Sequence, residues 1–192
     1  MKYLKEVIPI TVSEKYIVRT IPGTTLPYTD ANTQAFAYIR PLITAAGGLT
    51  LSQVCTITGL EGSTIQNWVK RGWIGGSLRS KKYDERQVAT ILIFSALRDS
   101  LKLDCIDKLL SYINCADGSV DEGDIFSLMC EAVKQIGLNI DEAENVIDNI
   151  LSELSAAGGK RERMKKALMV MVYACVSSEL SQTANFNLMR LI

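Results

Sequence analysis

Five side chains with the chemistry to bind nucleic acid fall on one short segment, between Ser63 and Gly72. They are Thr64, Gln66, Asn67, Lys70 and Arg71. Asn and Gln side chains can hydrogen-bond to base edges, while Lys and Arg neutralise phosphates. Ile65, Trp68 and Val69 alternate with them at helical spacing, which predicts a helix that buries these three and exposes the polar residues. The alternative is an ordinary solvated helix face.

Two glycines before this segment raise the question of a phosphate-binding loop. Such a loop, G-x-x-x-x-G-K-[ST], needs a buried strand before it and a lysine after its last glycine. TGLEGST, which contains Gly59 and Gly62, lacks the lysine and follows a helical pattern. AAGGKRER, at 156–163, has no Ser or Thr after its lysine. Neither fits a nucleotide site, whereas a glycine turn between two short helices is typical of a helix-turn-helix.

Three capping boxes predict where the helices around this turn begin. Each places a capping residue three positions before a glutamine, and the pairs are Thr50 with Gln53, Ser63 with Gln66, and Asp84 with Gln87. Gly59 and Gly72 are the expected ends of the first two helices. The third helix is predicted to run through Leu97.

The stretch WIGGSLRSKKY, residues 73–83, predicts a β-hairpin after the second helix. Trp73-Ile74 forms the first expected strand, and the second ends at Tyr83. Arg79, Lys81 and Lys82 would then lie on this small wing, beside the sugar-phosphate backbone of a bound duplex.

The remaining segments favour helices, apart from the first 28 residues. Those carry β-branched residues and prolines, which fit either an extended arm or a short hairpin. Helices are expected at about 30–46, from about Asp104, and in three stretches beyond Gly118, the last at about 160–180. The apolar runs 88–97 and 168–176 are candidates for a dimer interface or for the core that joins the two halves.

Composition narrows the function classes. The 21 basic residues balance the 21 acids, but residues 64–86 carry +4, residues 99–153 carry −10, and a run after Gly159 returns to +4.

The chain has no histidine, which removes the commonest general base, and its five cysteines lack metal-ligand spacing. We read the cysteines as small core residues of a cytoplasmic protein. No signal peptide or membrane span is apparent, and we expect no enzyme activity and no cofactor.

Residues 49–110 resemble the DNA-binding domain of the MerR family of bacterial transcription regulators. LTLSQVCTITGL is similar to that family's first helix, STIQNWVKRGWI to its recognition helix, and KKYDERQVATILIFSALRDSLKLDCIDKLL to the end of its wing and the helices after it. The resemblance implies recognition-helix roles for Gln66, Asn67 and Lys70, and a role for Tyr83 at the base of the wing. The long dimerising helix of that family is replaced by an acidic three-helix segment. The whole chain resembles a bacterial family of unknown function with a MerR-like centre.

Together these features predict a mainly α protein with a MerR-like winged helix-turn-helix, a small β-hairpin wing and an all-helical C-terminal segment. The expected divisions are an N-terminal arm and helix (1–48), the DNA-binding domain (49–114) and a helical domain for dimerisation or partner binding (115–192). The expected function is sequence-specific binding of double-stranded DNA by a homodimeric transcription regulator, with any small-molecule effector unknown. The alternative is a protein-protein adaptor that uses the acidic helical half and keeps the helix-turn-helix as scaffold.

Overall fold

The fold is mainly helical with one small sheet. The computed structural model describes residues 20–28, 35–77, 81–114, 121–152 and 158–191 of the 192-residue chain. Its helices are α1 (Ala35–Ala46), α2 (Leu51–Thr58), α3 (Gly62–Lys70), α4 (Glu85–Leu97), α5 (Leu103–Asn114), α6 (Glu122–Ile136), α7 (Ala143–Ser152) and α8 (Gly158–Met189). A 3₁₀ turn at Ile140–Glu142 precedes α7. No helix within these described ranges combines the length and apolar composition that crossing a membrane requires.

The sheet has two short antiparallel strands, β1 (Leu49–Thr50) and β2 (Lys82–Tyr83). Leu49 lies opposite Tyr83, and Thr50 lies opposite Lys82. The hairpin strand predicted at Trp73-Ile74 is therefore wrong, since β2 pairs with residues ahead of α2 instead. Ile74 is buried in the core without strand geometry.

Helices α4 and α6 form the centre of the core. α6 packs against α1, α4, α7 and α8, and α4 also contacts α1, α2, α5 and α8. Phe36 of α1 meets Phe126 of α6 edge to face, with ring centroids 6.2 Å apart. The apolar runs 88–97 and 168–176 are mostly buried within the chain itself, which agrees with their core reading, while Val170 and Tyr173 of the second run are exposed.

The N-terminal arm is described from Thr20 to Tyr28. An isolated bridge between Thr20 and Pro27 closes a tight turn there, so this part has the hairpin form. The Thr25 backbone N–H donates to Ile57 O at 2.7 Å, and its hydroxyl donates to Thr56 O at 2.9 Å. These bonds satisfy carbonyls at the C-terminal end of α2 that the helix itself leaves unpaired. Expectations for residues 1–19 and 29–34 lie outside the described residues.

The last helix is longer than the sequence predicted. The expected end near residue 180 is wrong, because α8 continues to Met189. No glycine or proline interrupts residues 160–191, so nothing in the sequence stops the hydrogen-bonding pattern of the helix.

Candidate nucleic-acid interface

A three-residue turn, residues 59–61, separates α2 from α3. Thr50 and Gln53 form the predicted capping box at the start of α2, and Gly59 ends that helix at φ 70°. A β-branched or bulky residue in this left-handed conformation would be strained, so glycine suits the position. A Cβ on Gly62 would lie 3.3 Å from the Leu51 side chain, which shows how closely the two helices approach.

The N-cap of α3 lies two residues before the predicted cap, Ser63. Glu61 occupies the capping position in extended conformation, without a capping hydrogen bond from its side chain. The predicted box between Ser63 and Gln66 is therefore wrong, since both residues lie inside the helix. Gln66 is not drawn back to the helix start, which leaves its amide on the exposed face.

Two buried side chains hold α3 against the core. Ile65 is fully buried, and Trp68, at 3% exposure, packs on Phe94 of α4 with ring centroids 5.5 Å apart. Trp73, just after α3, lies 6.2 Å from the same Phe94 ring. The Arg71 guanidinium sits over Trp73, 5.1 Å from its ring centroid, which fixes that cation beside the end of α3. Gly72 adopts φ 80° in the turn that follows, as its predicted role required.

The polar residues predicted as contacts share one exposed face of α3. Gln66, Asn67 and Lys70 are exposed, as are Ser63 and Arg71, while Thr64 is half-buried. At 3.6 residues per turn, Ser63, Gln66, Asn67 and Lys70 fall within a sector of about 100°. We call this set, together with Arg71, the α3 face. It carries two amides and two cations and is not covered by α6, α7 or α8, none of which packs against α3 with more than marginal contact.

The predicted wing residues have diverse environments. Lys81 is exposed, with a left-handed backbone (φ 59°). The Lys82 amine donates to Ala46 O at 2.5 Å. Its positive charge there stabilises the partial negative charge at the C-terminal end of α1. Tyr83 is a core residue at 5% exposure, and burial raises the pKa of its phenol. Arg79 lies outside the described residues.

Arg86 belongs to the basic patch counted from the sequence, but in the fold its charge is paired with an acidic side chain. Its guanidinium pairs with Glu122 of α6 at 2.7 Å, and the hydrogen bond from Arg86 Nε to Glu122 raises the pKa of Arg86. Sequence reasoning missed this pairing because the partners are 36 positions apart. Lys70, Arg71 and Lys81 are exposed near α3, and Arg86, which is also exposed, differs from them in being paired with the Glu122 carboxylate.

The cysteines only partly fit their expected role as core residues. Cys130 and Cys175 are buried, and burial raises the pKa of the Cys175 thiol to about 12. Cys55 is half-buried beside the α2–α3 turn, Cys105 is exposed, and Cys115 lies outside the described residues. The described residues contain no cluster of three or more His, Cys, Asp or Glu positioned to hold a metal ion.

Comparison with known proteins gives one match. Residues 47–130 match the family profile described as Domain of unknown function (DUF1836). The match begins just before β1, spans the α2–α3 pair and ends within α6. No curated protein and no solved structure matches the chain. The chain is thus similar, from the α2–α3 pair to the central core helix α6, to a domain family of unknown function.

Proposed function

We propose that this protein binds double-stranded DNA as a transcription regulator, with α3 in the major groove. The observation that carries the proposal is the α3 face: amide and cationic side chains exposed on a helix that Ile65 and Trp68 pin to the core. Amides at Gln66 and Asn67 would hydrogen-bond base edges, and Lys70 and Arg71 would contact phosphates. The MerR-like order of motifs supports the same assignment.

The wing residues proposed to contact DNA differ from those expected from the sequence. Lys81 is the exposed cation after α3, and Arg79 stays a predicted contact from its position in the sequence. Lys82 already bonds the end of α1, and Tyr83 supports β1 from within the core. Backbone contacts are therefore proposed mainly for Lys70, Arg71 and Lys81, with a winged helix-turn-helix in the MerR-like sense as the proposed fold.

The adaptor hypothesis depends on the acidic helical half offering its charges to a partner. Several of those charges have partners within the chain. Asp121 and Asp124 pair with Arg40, and Glu144 and Asp148 pair with Lys165. Such internal pairing favours the DNA proposal over a docking surface built from these acids.

Salt dependence of binding tests the proposal. Each phosphate contact contributes roughly −0.9 to the slope of log affinity against log salt concentration. Lys70→Ala should weaken binding to all sequences and make the slope shallower by about one unit. Lys108 is an exposed lysine of α5, outside the α3 face. Lys108→Ala removes the same charge there and should leave the slope unchanged.

Base readout is tested separately with Asn67→Ala. Selection of bound fragments from a randomised duplex pool should return a different preferred sequence for this variant than for the wild type. Absence of duplex binding by the wild-type protein at low salt would defeat the DNA proposal outright. A uniform loss across sequences for Asn67→Ala would remove only the base contact.

A further inference from the structure

The outward face of α8 changes character at Val170. Before it, that face carries the charged residues Glu162 and Lys166, which pair with each other at 3.4 Å. From Val170 onward it carries six uncharged residues, all exposed, which we call the α8 stripe. They are Val170, Tyr173, Ser177, Leu180, Ala184 and Leu188.

Helical geometry places the whole stripe on one line. At 3.6 residues per turn its members fall within a sector of about 80° over a length of about 27 Å. Glu179, the charged residue between Val170 and Leu188, falls on the opposite side of the helix. The stripe is also opposite the face that packs Leu168, Met171 and Val172 into the core.

The large members of the stripe are well exposed. Val170 is 41% exposed, Tyr173 46%, Leu180 51% and Leu188 55%. Every described side chain from Ala184 to Leu191 is exposed, so α8 extends beyond the body of the protein. A continuous apolar line on a projecting helix is typical of an interaction surface.

The order of side chains along the stripe is symmetric about a point beside Leu180. When two copies run antiparallel across this point, Tyr173 meets Leu188 and Ser177 meets Ala184 of the other copy, and the two Leu180 side chains lie on either side of the centre. Large residues then meet large ones, and the two small residues meet in layers that let the helix axes approach closely. A surface that complements itself in this way satisfies the requirement of a two-fold interface, in which the same patch serves both subunits.

We infer that the α8 stripe is a homodimer interface in which α8 of a second copy packs antiparallel, centred near Leu180. The occupant is another copy of this chain because the stripe matches its own reversed order and offers no charge for a different partner to read. This inference stands apart from the DNA proposal. Dimerisation is measured without DNA, and either result leaves the other open.

Paired charges test both the surface and its direction. In the antiparallel register, Tyr173 of each copy faces Leu188 of the other. The double variant Y173K/L188E therefore places opposite charges together and should remain dimeric. Y173E/L188E places like charges together and should raise the dimer dissociation constant about tenfold or more. Sedimentation equilibrium measures both, and far-UV circular dichroism checks that helix content is unchanged.

The controls separate this interface from general hydrophobic association. Phe186→Glu alters an exposed aromatic residue of the same projecting segment but off the stripe, so it should leave dimerisation unchanged. A parallel pairing would place the introduced lysines of the two copies of Y173K/L188E beside each other, and dissociation of that variant would overturn the antiparallel arrangement. A monomeric wild-type protein, or a dimer that neither Y173E/L188E nor Leu180→Asp weakens, would overturn the interface itself.

Discussion

Glu179 is a carboxyl group that the fold partly removes from water. It lies half-buried on α8 and lines a cleft with Arg98 of α4 and Pro22 of the N-terminal arm. Burial raises the pKa of its carboxyl group. Because the folded state then binds the proton more tightly than the unfolded state, ionisation of Glu179 destabilises the fold.

Glu179→Gln should therefore be more stable than the wild type at neutral pH. The difference should shrink as pH falls and vanish below about pH 4, where the unfolded glutamate is also protonated. Urea unfolding of both proteins across this range measures it. Glu162→Gln removes the same charge from an exposed site of α8 and should show no such pH-dependent gain. Lower stability of Glu179→Gln at neutral pH would show that the carboxylate stabilises the fold.

Individual cations show how far residue type alone predicts a role. Lys70, Lys81, Lys82 and Arg86 look alike in the sequence as parts of one basic patch. The fold assigns Lys82 to the end of α1 and Arg86 to Glu122, and leaves Lys70 and Lys81 exposed. The difference lies in contacts between residues more than thirty positions apart, which no local pattern contains.

At the scale of elements, local signals predicted helix boundaries well where a capping box formed. Thr50 with Gln53 and Asp84 with Gln87 both cap as expected, because each pair closes within one turn of its own helix. The capping box at Ser63 did not form, because Glu61 is extended and acts as the N-cap, so α3 starts earlier than predicted. β2 pairs with β1, which lies more than thirty positions earlier in the chain. The turn-forming residues 75–77 contain no information about that pairing, so the sequence did not predict it.

Gly123 sets the distance between α1 and α6. A Cβ at this position would overlap the Phe36 ring and lie 2.7 Å from Arg40 Nη2. We expect Gly123→Ala to destabilise the protein by about 1–3 kcal/mol, because overpacking of this buried contact exceeds the usual helix gain of alanine. Gly159→Ala is the matched control, at the same second position of α8 but in open space. It should leave stability unchanged or raise it by up to about 1 kcal/mol. Chemical denaturation measures both, and equal stability of the two variants would contradict the close packing.

Across the whole molecule, the core runs through all three predicted divisions of the chain. α1, α4, α6 and α8 contribute to one hydrophobic cluster. Arg40 of α1 also bridges Glu85 of α4 and Asp121 of α6, at 2.5 Å and 2.7 Å. The DUF1836 match likewise extends past residue 114 into α6. The core on which α2 and α3 pack through α4 therefore includes helices from both sides of the predicted boundary at 115.

We expect the chain to unfold in one cooperative transition for this reason. Its two tryptophans, Trp68 and Trp73, both pack on Phe94 of α4, so their fluorescence reports the region around α3 alone. Far-UV circular dichroism reports all the helices, and the two signals should change at the same denaturant concentration.

Phe126→Ala tests whether a substitution in α6 also destabilises the region of α2 and α3. Phe126 is fully buried against Phe36, and its truncation should cost about 3–5 kcal/mol by opening a cavity in the shared core. Although Phe126 lies outside residues 49–114, the loss should lower the tryptophan and circular dichroism midpoints together. Leu188→Ala, at an exposed site far along α8, serves as the control and should move neither midpoint when both proteins are measured at concentrations low enough to be monomeric. If Phe126→Ala shifted circular dichroism but left the tryptophan transition in place, residues 49–114 would be an independent folding unit.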